Sequence, residues 1–403
     1  MHCLPSGLRS VDPESTVRHA VGLASRLGIS RVTDISRLDR IGIPVFTSVR
    51  PTAARGSLCV TAGKGIRLED ARAGAYMEAI EFALAEPHAS SVDVEVATAR
   101  HVLDGVHGPA AVLDFCPRAQ RSVDPDVPLG CVRSTDIVSG RQLLVPAELV
   151  FLPYPHGPGT GIFGSSSNGL ASGNTVEEAT LHGLLEVIER DIRAFHRIRD
   201  KSRPLHPSTL PGIALEQLAK IGDAGFEWCV RYLPNEFDLP CFEALIWDAS
   251  ASNALKLAAG YGCHLMRDIA LTRAVTEAVQ SRLSWIHGAR DDLVEPDTEV
   301  GDFASPELEA SAALQWQRYT DVSGGLDFER VPGLGLPRSI DDALFATMER
   351  LARSKIRLVC RVAFTPSIAK LQVVRVIVPR LEYWDRFSHR IGPRLHAFIR
   401  QRS

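Results

Sequence analysis

Residues 165–191, SSSNGLASGNTVEEATLHGLLEVIERD, decide how the rest of the chain is read. The stretch begins as a loop of Ser, Gly and Asn and turns into a helical pattern that runs from Thr175 to about Arg199. Placing Glu178 at 0° and stepping roughly 100° per residue puts Glu189 at about 20° and Glu186 at about 80°, while Leu181, Leu184, Leu185, Ile188 and Ile192 cover roughly 240–340°. Three carboxylates therefore border the apolar stripe. A solvated helix face would interleave Lys or Arg among its glutamates, and a carboxylate taken out of water needs a cation to offset the loss. Ser167, Asn168 and Asn174 could hydrogen-bond a phosphate or ribose, or could form turns and cap the helix at Asn174.

An earlier stretch reads the same way. From about 56 to 116 the order is strand (SLCVT), glycine loop (AGKG), helix (LEDARAGAYMEAIEFALAE), strand (VDVEVA). Its helix sets Glu78 and Glu81 among Ala71, Ala75, Met77, Phe82, Leu84 and Ala85. Residues 143–199 repeat the plan, with strand-like LLVPAELVFL, a Gly/Ser-rich loop and a helix carrying Glu186 and Glu189. Internal duplication is a reading from pattern alone, because the residues between barely match. A third helix, about 267–287, presents Arg273, Glu277 and Gln280 within about 60° of one another.

Around these units the pattern predicts a helix over 14–27, a strand over 42–50 ending at Pro51, strands at 226–232 and 241–248, and a polar acidic loop over 288–308. A helix at 340–354 and strands at 356–363 and 371–378 follow. Strands and helices that mix without strict alternation predict an α+β fold of mixed sheets and packed helices. The expected division is a short N-terminal segment, 1–40, and one domain over 41–403.

The 403 residues are 45% hydrophobic, 23% charged and 6% aromatic, the profile of a globular chain rather than a disordered or membrane one. Lys and Arg number 45 against 48 Asp and Glu, so no general nucleic-acid binder is expected. With no signal-like start and no apolar run of about 18 residues, neither membrane nor export is expected and the predicted location is the cytoplasm. The eight cysteines form no CxxC pair and read as reduced, mostly buried thiols; Cys59 alone lies near a glycine loop and is left outside the site.

Any one glutamate among Glu78, Glu81, Glu178, Glu186, Glu189 and Glu277 could cap, pair with an arginine or face water, but six in such settings imply a shared ligand. Oxygen-only donors, without His or Cys at matching spacing, favour magnesium over zinc, and magnesium characteristically joins a few carboxylates to substrate phosphates. Gly63-Lys64-Gly65 is not a Walker loop, because the GxxxxGK[ST] spacing is absent. A glycine turn before a helix can still aim backbone N–H groups and Lys64 at an anion.

AGKGIRLEDARAGAYMEAIE (62–81), SSSNGLASGNTVEEATLHGLLEVIERD (165–191) and LTRAVTEAVQSRLSWIHGARDD (271–292) together resemble, in content, order and separation, the three ATP-site motifs of YcaO proteins, and the likeness covers roughly residues 40–395. The resemblance implies a non-Walker ATP site. Glu78, Glu81, Glu178, Glu186, Glu189 and Glu277 would bind magnesium ions, and Asn174, Arg190 and Arg273 would contact the nucleotide; Lys64, Ser167 and Gln280 are added to the ATP-binding set. YcaO proteins activate a backbone amide: a nucleophile adds to the carbonyl carbon, the oxygen takes the γ-phosphoryl group, and phosphate leaves. Two departures stand out, Phe82 where the first motif usually continues to an arginine, and Gly74 where serine or alanine is usual.

Three outcomes follow from three nucleophiles: azoline from a Cys, Ser or Thr side chain, macroamidine from an amine, thioamide from sulfide. The ending HAFIRQRS lacks the proline-rich terminus of many azoline formers, while DRIGIPVFTSVRP (39–51) and VVRVIVPRLE look more like YcaO proteins that work with a TfuA partner in thioamidation. The expected partners are therefore a peptide or protein substrate, a TfuA-like protein and a sulfide donor, with a homodimer as the expected assembly. The first 40 residues are too few for a fused leader-binding module. A reading of another class is a nucleotide-binding assembly factor without catalysis. His182, His196, His264 and His389 titrate in a useful range but have no geometric claim as a general base.

Overall fold

The computed structural model describes residues 1–88, 92–102, 111–119, 121–154, 156–251, 255–293, 313–314, 316–364, 370–384 and 389–401. The chain divides into two compact units: Met1–Thr52, Leu58–Ala79 and Lys201–Pro337 form the first, and Ala53–Ser57, Ile80–Asp200 and Arg338–Ser403 the second.

In the first unit, β1 (His2–Leu4) and β2 (Gly7–Arg9) make a hairpin ahead of α1 (Pro13–Ala24). Asp12 caps α1, accepting the Ser15 N–H at 2.7 Å, which satisfies a donor the first turn leaves over. The strands β3 (Arg31–Asp34), β4 (Val45–Val49) and β5 (Val60–Lys64) form an antiparallel sheet, followed by α2 (Leu68–Ala85), whose residues up to Ala79 belong here.

Numbered in chain order, the same unit also holds a four-stranded antiparallel sheet of β10 (Arg203–Pro204), β11 (Glu227–Tyr232), β12 (Cys241–Trp247) and β13 (Leu257–Cys263), with α4 (Gly212–Asp223) and α5 (Arg267–His287). Alternation along β12 sends Phe242, Ala244 and Ile246 into a core shared with Ala270, Ala274 and Ala278 of α5, and Leu245 and Trp247 to the other face beside Trp316. Glycines let helix backbone lie directly on strand backbone. A Cβ at Gly260 would stand 2.0 Å from Ala278 N, and one at Gly63 would stand 2.1 Å from Ala75 N. Arg282 of α5 is buried between Asp39, at 2.8 Å, and Asp248, at 3.0 Å.

The second unit is built on a six-stranded sheet with the order β6 (Glu95–Thr98), β7 (Pro128–Asp136), β14 (Cys360–Ala363), β15 (Gln372–Ile377), β9 (Leu170–Gly173), and β8 (Gln142–Pro146) also paired to β7. Across it lies α3 (Val176–Ile198), packed on β9 and β15 and against α6 (Ile340–Arg353). The C-terminal helix α7 (Pro393–Arg400) is fastened to α3 by Arg394 Nη1, 2.6 Å from the buried Asp191 carboxylate. Burial raises Asp191 to about 6 against the pull of Arg394 and of the Glu382 N–H.

The α+β prediction holds, and the five expected helices fall close to where periodicity sets them, while α4 and α7 were not expected. Two expected glycine loops are strands in part: Gly63 and Lys64 lie in β5, and LASG forms β9. The cap of α3 is Thr175, whose hydroxyl accepts the Glu178 N–H at 3.1 Å, and not Asn174. Of the expected 288–308 loop, residues 294–308 lie outside the described residues; Asp291–Leu293 form a 3₁₀ turn. Among the described residues no helix is long and apolar enough to cross a membrane.

Candidate functional site

The candidate residues fall into two sets, one in each unit. In the first, the peptide at Ala62 of β5 is held from two helices. Its N–H donates to Glu78 Oε2 of α2 at 2.9 Å, and its carbonyl accepts from Gln280 Nε2 of α5 at 2.6 Å. Glu277 accepts the Tyr261 N–H of β13 at 3.3 Å through one oxygen and pairs with Lys64 through the other. These contacts depend on the glycines, since Gly63 and Gly260 bring each helix close enough for a glutamate to reach the neighbouring strand N–H. Between Leu271 and Gln280, α5 is buried at every position except Arg273, Glu277 and Gln280. Spaced i, i+4 and i+7, they form a polar seam on an otherwise enclosed helix.

Burial pushes the Glu78 carboxyl above the usual carboxylate range; Arg290, the Ala62 N–H and Lys64 pull the other way, and Glu277 adds to the rise. A divalent cation would relieve both carboxylates at once, because burial and like charge each disfavour the ionised form and an adjacent cation restores it.

The second set is carried by α2 beyond Ala79, β9 and α3. Glu81 is buried and accepts the Ser172 hydroxyl of β9. On α3, Glu178 and Glu189 are only 3% and 5% exposed, a costly place for a carboxylate unless cations compensate it. Along the same helix Arg190 stands 3.7 Å from Glu186 and Arg193 stands 3.8 Å from Glu189. His182, Glu186, Arg190 and Arg193 are partly exposed along the same helix, again at helical spacing. Asn174 sits in the β9–α3 connection and Ser167 in the turn before β9, where the Ser167 carbonyl accepts the Leu170 N–H at 2.8 Å.

The structure adds one residue that sequence reasoning missed. Arg375 lies in β15 with no exposure at all. Its Nε donates to Val150 O at 3.0 Å, and Nη1 donates to Ser166 O at 2.9 Å and Asn168 O at 3.0 Å. Among the described residues Nη2 has no hydrogen-bond partner. Burial lowers Arg375 to about 10, the Glu186 and Glu81 carboxylates opposing the shift, so the guanidinium stays charged at neutral pH. Its sequence signal was a lone cation inside the apolar run VVRVIV.

Among the described residues no group of three or more His, Cys, Asp or Glu forms a ready metal cage. The donors nevertheless fit magnesium with a polyphosphate: they are all carboxylate oxygens, they are partly or wholly buried, and cations stand beside them. Magnesium seldom takes an all-protein cage and leaves coordination positions for phosphate and water. His264 is buried, and burial, then Arg273 and Arg9, push its imidazole down to about 3. His196 stands 3.6 Å from Asp200, and His389 packs on Trp384. Cys59 is half-buried, and its N–H donates to Asp291. At Gly74 an added Cβ would lie 3.3 Å from Gly63 Cα, so this departure accompanies the tight α2–β5 contact.

Comparison with known proteins gives these sets a context. The family model described as YcaO cyclodehydratase, ATP- and Mg2+-binding, matches residues 62–382. An uncharacterized protein of Methanothermobacter thermautotrophicus is 34% identical over 97% of this chain and 99% of its own length. A Rhizobium leguminosarum bv. trifolii protein, described as uncharacterized and in the tfuA 3′ region, is 31% identical over 93% of this chain and 88% of its own. Among solved structures, YcaO from Methanopyrus kandleri bound with AMPPCP and Mg2+ superposes with a TM-score of 0.75 at 22% identity, covering 97% of both chains. A heterocyclase in complex with substrate and cofactor superposes with a TM-score of 0.78 at 20% identity, over 96% of this chain and 54% of that one. This chain belongs to the YcaO family, and its YcaO domain is one that binds ATP and Mg2+.

Proposed function

We propose that this protein uses ATP to phosphorylate the carbonyl oxygen of a backbone amide in a ribosomal peptide or protein, and that sulfide is the nucleophile, giving a thioamide. In the first unit Glu78 and Glu277 serve as magnesium ligands, while Lys64, Arg273 and Gln280 contact the nucleotide. In the second, Glu81, Glu178, Glu186 and Glu189 take the metal role, and Ser167, Asn174 and Arg190 the nucleotide role. Bound magnesium supplies neutralisation of phosphate charge as the γ-phosphoryl group moves. Sulfide adds to the carbonyl carbon, the oxygen accepts the phosphoryl group, and the carbon–oxygen bond then breaks to release phosphate and leave carbon–sulfur.

The observation that carries the amide-activating part is the placement of glutamates at buried or half-buried positions of three helices, with a cation or a backbone N–H beside Glu78, Glu186, Glu189 and Glu277. Support for sulfide comes from the relative in the tfuA 3′ region, which also favours a TfuA-like partner that delivers substrate or sulfur. The proposed assembly is a homodimer. A second reading, azoline formation by cyclodehydration, is favoured by the family description and by the heterocyclase among the solved structures.

Tandem mass spectrometry of a candidate peptide incubated with the protein, a TfuA-like partner, magnesium-ATP and sulfide tests the assignment, with Glu189→Gln as control. Sulfur-for-oxygen replacement at one amide, dependent on sulfide and absent with the control, is expected. Loss of one water without sulfide would establish cyclodehydration instead, and no mass change in any mixture would favour a non-catalytic nucleotide-binding role.

A further inference from the structure

Buried arginines are rare unless paired, and a buried donor left without an acceptor calls for an explanation. Arg375 is such a residue. It occupies an interior strand, β15, between β14 and β9, paired opposite Leu170 on one side and Val362 on the other. Two of the carbonyls it holds, Ser166 and Asn168, flank Ser167. The next residue in β15 completes the grip: Val376 N–H donates to Gly169 O at 2.8 Å. Gly169 has φ +75°, and a Cβ there would stand 2.1 Å from Val376 O, so the turn from Ser167 to Leu170 is pressed onto the strand and only glycine fits its corner. Lysine could not replace this arrangement, because a single ammonium lacks the planar fork that reaches three carbonyls in fixed directions.

The charge has a second consequence. Glu81 is tied to Ser172 of β9, the strand beside β15, and Glu186 lies on α3, which packs on both strands. The attraction of these two carboxylates is what opposes the effect of burial on the guanidinium.

We propose that Arg375 is a positioning residue for the nucleotide: it fixes the Ser167 turn in its ligand-facing conformation, and its charge balances Glu81 and Glu186 when no metal is bound. The inference rests on the nucleotide and metal roles proposed above. A staple of purely structural value would, when removed, weaken every ligand together. A cation that balances metal-ligating carboxylates acts with opposite signs on a divalent cation and on a polyanion.

The test compares wild type, Arg375→Lys and Arg375→Met at pH 8, measuring Mn2+ binding by electron paramagnetic resonance and Mg·AMPPCP binding by calorimetry. Arg375→Lys loses the fork, so AMPPCP should weaken at least about tenfold. Arg375→Met should bind AMPPCP more weakly still, and Mn2+ about fivefold more tightly. Unchanged AMPPCP affinity in both variants overturns the proposal. So does a parallel loss of both ligands with a lowered melting temperature, or failure of both variants to fold, since either result makes Arg375 a structural staple. A wild-type protein that binds no Mg·AMPPCP would overturn the nucleotide reading itself, a failure separate from any result on the variants.

Discussion

Gly63→Ala tests the contact on which the first unit's carboxylates depend. Gly63 lies in a strand with no positive φ, so alanine is allowed by the backbone and the perturbation is one methyl group. That methyl would meet Ala75 N at 2.1 Å and Ala71 O at 2.2 Å, both backbone atoms that no side-chain rotation can move. Ordinary contact begins at 3.4 Å, so α2 must retreat from β5 by about 1.3 Å, the difference between 3.4 and 2.1, to restore close packing. The Ala62 N–H to Glu78 bond, now 2.9 Å, would then stretch to about 4 Å and cease to be a hydrogen bond. Overpacking of this kind costs about 1–3 kcal/mol and outweighs the stabilisation of under about 1 kcal/mol that glycine-to-alanine gives through the unfolded chain. The expected results are a melting temperature lowered by about 2 °C or more and Mg·AMPPCP affinity reduced about tenfold to a hundredfold, because ligand groups displaced by an ångström lose most of their effect. Gly22→Ala in α1, where nothing lies within 4 Å of an added Cβ, is the matched control and should be slightly stabilising. A Gly63→Ala protein that melts at or above the wild-type temperature and binds Mg·AMPPCP equally well would refute the reasoning.

His264 is neutral and buried in the folded chain, at about 3 against 6.5 for an ordinary histidine, so the unfolded chain binds the extra proton; stability is full above pH 6.5 and falls by about 1.4 kcal/mol per pH unit below it. Urea melts at pH 7 and pH 5 should therefore differ by about 2 kcal/mol more in wild type than in His264→Gln, and identical differences would sink the assignment. Arg282→Met leaves Asp39 and Asp248 buried without their shared guanidinium and should cost about 3–5 kcal/mol in urea denaturation, with a loss under about 1 kcal/mol contradicting it.

The long helices were legible because burial on one side writes a 3.6-residue period into the sequence, as in α3 and α5. The strands β9 and β13 were not. LASG holds no β-branched or aromatic residue and LAAGYGC holds only Tyr261, because Gly173, Gly260 and Gly262 leave room for helix backbone. The requirement that brings the helix glutamates to the strands thus erases the local signal of the strands. Glu78, Glu186 and Glu277 were found as acids in apolar settings. The partners that define their geometry, the Ala62 and Tyr261 N–H groups, carry no side-chain signature. Arg375 was visible only as a charge out of place, since its acceptors are carbonyls far away in the chain.

Tying a proposed ligand carboxylate to a main-chain amide gives the protein a built-in spectroscopic readout. Ala62 N–H and Tyr261 N–H each donate to one carboxylate, Glu78 and Glu277 respectively, and an amide resonance follows the charge its acceptor bears. When a cation draws electron density from either glutamate, the corresponding amide should move upfield and its exchange with solvent should change. Each carboxylate can then be followed separately through the nuclear magnetic resonance signal of its own backbone amide, with no substitution at the site.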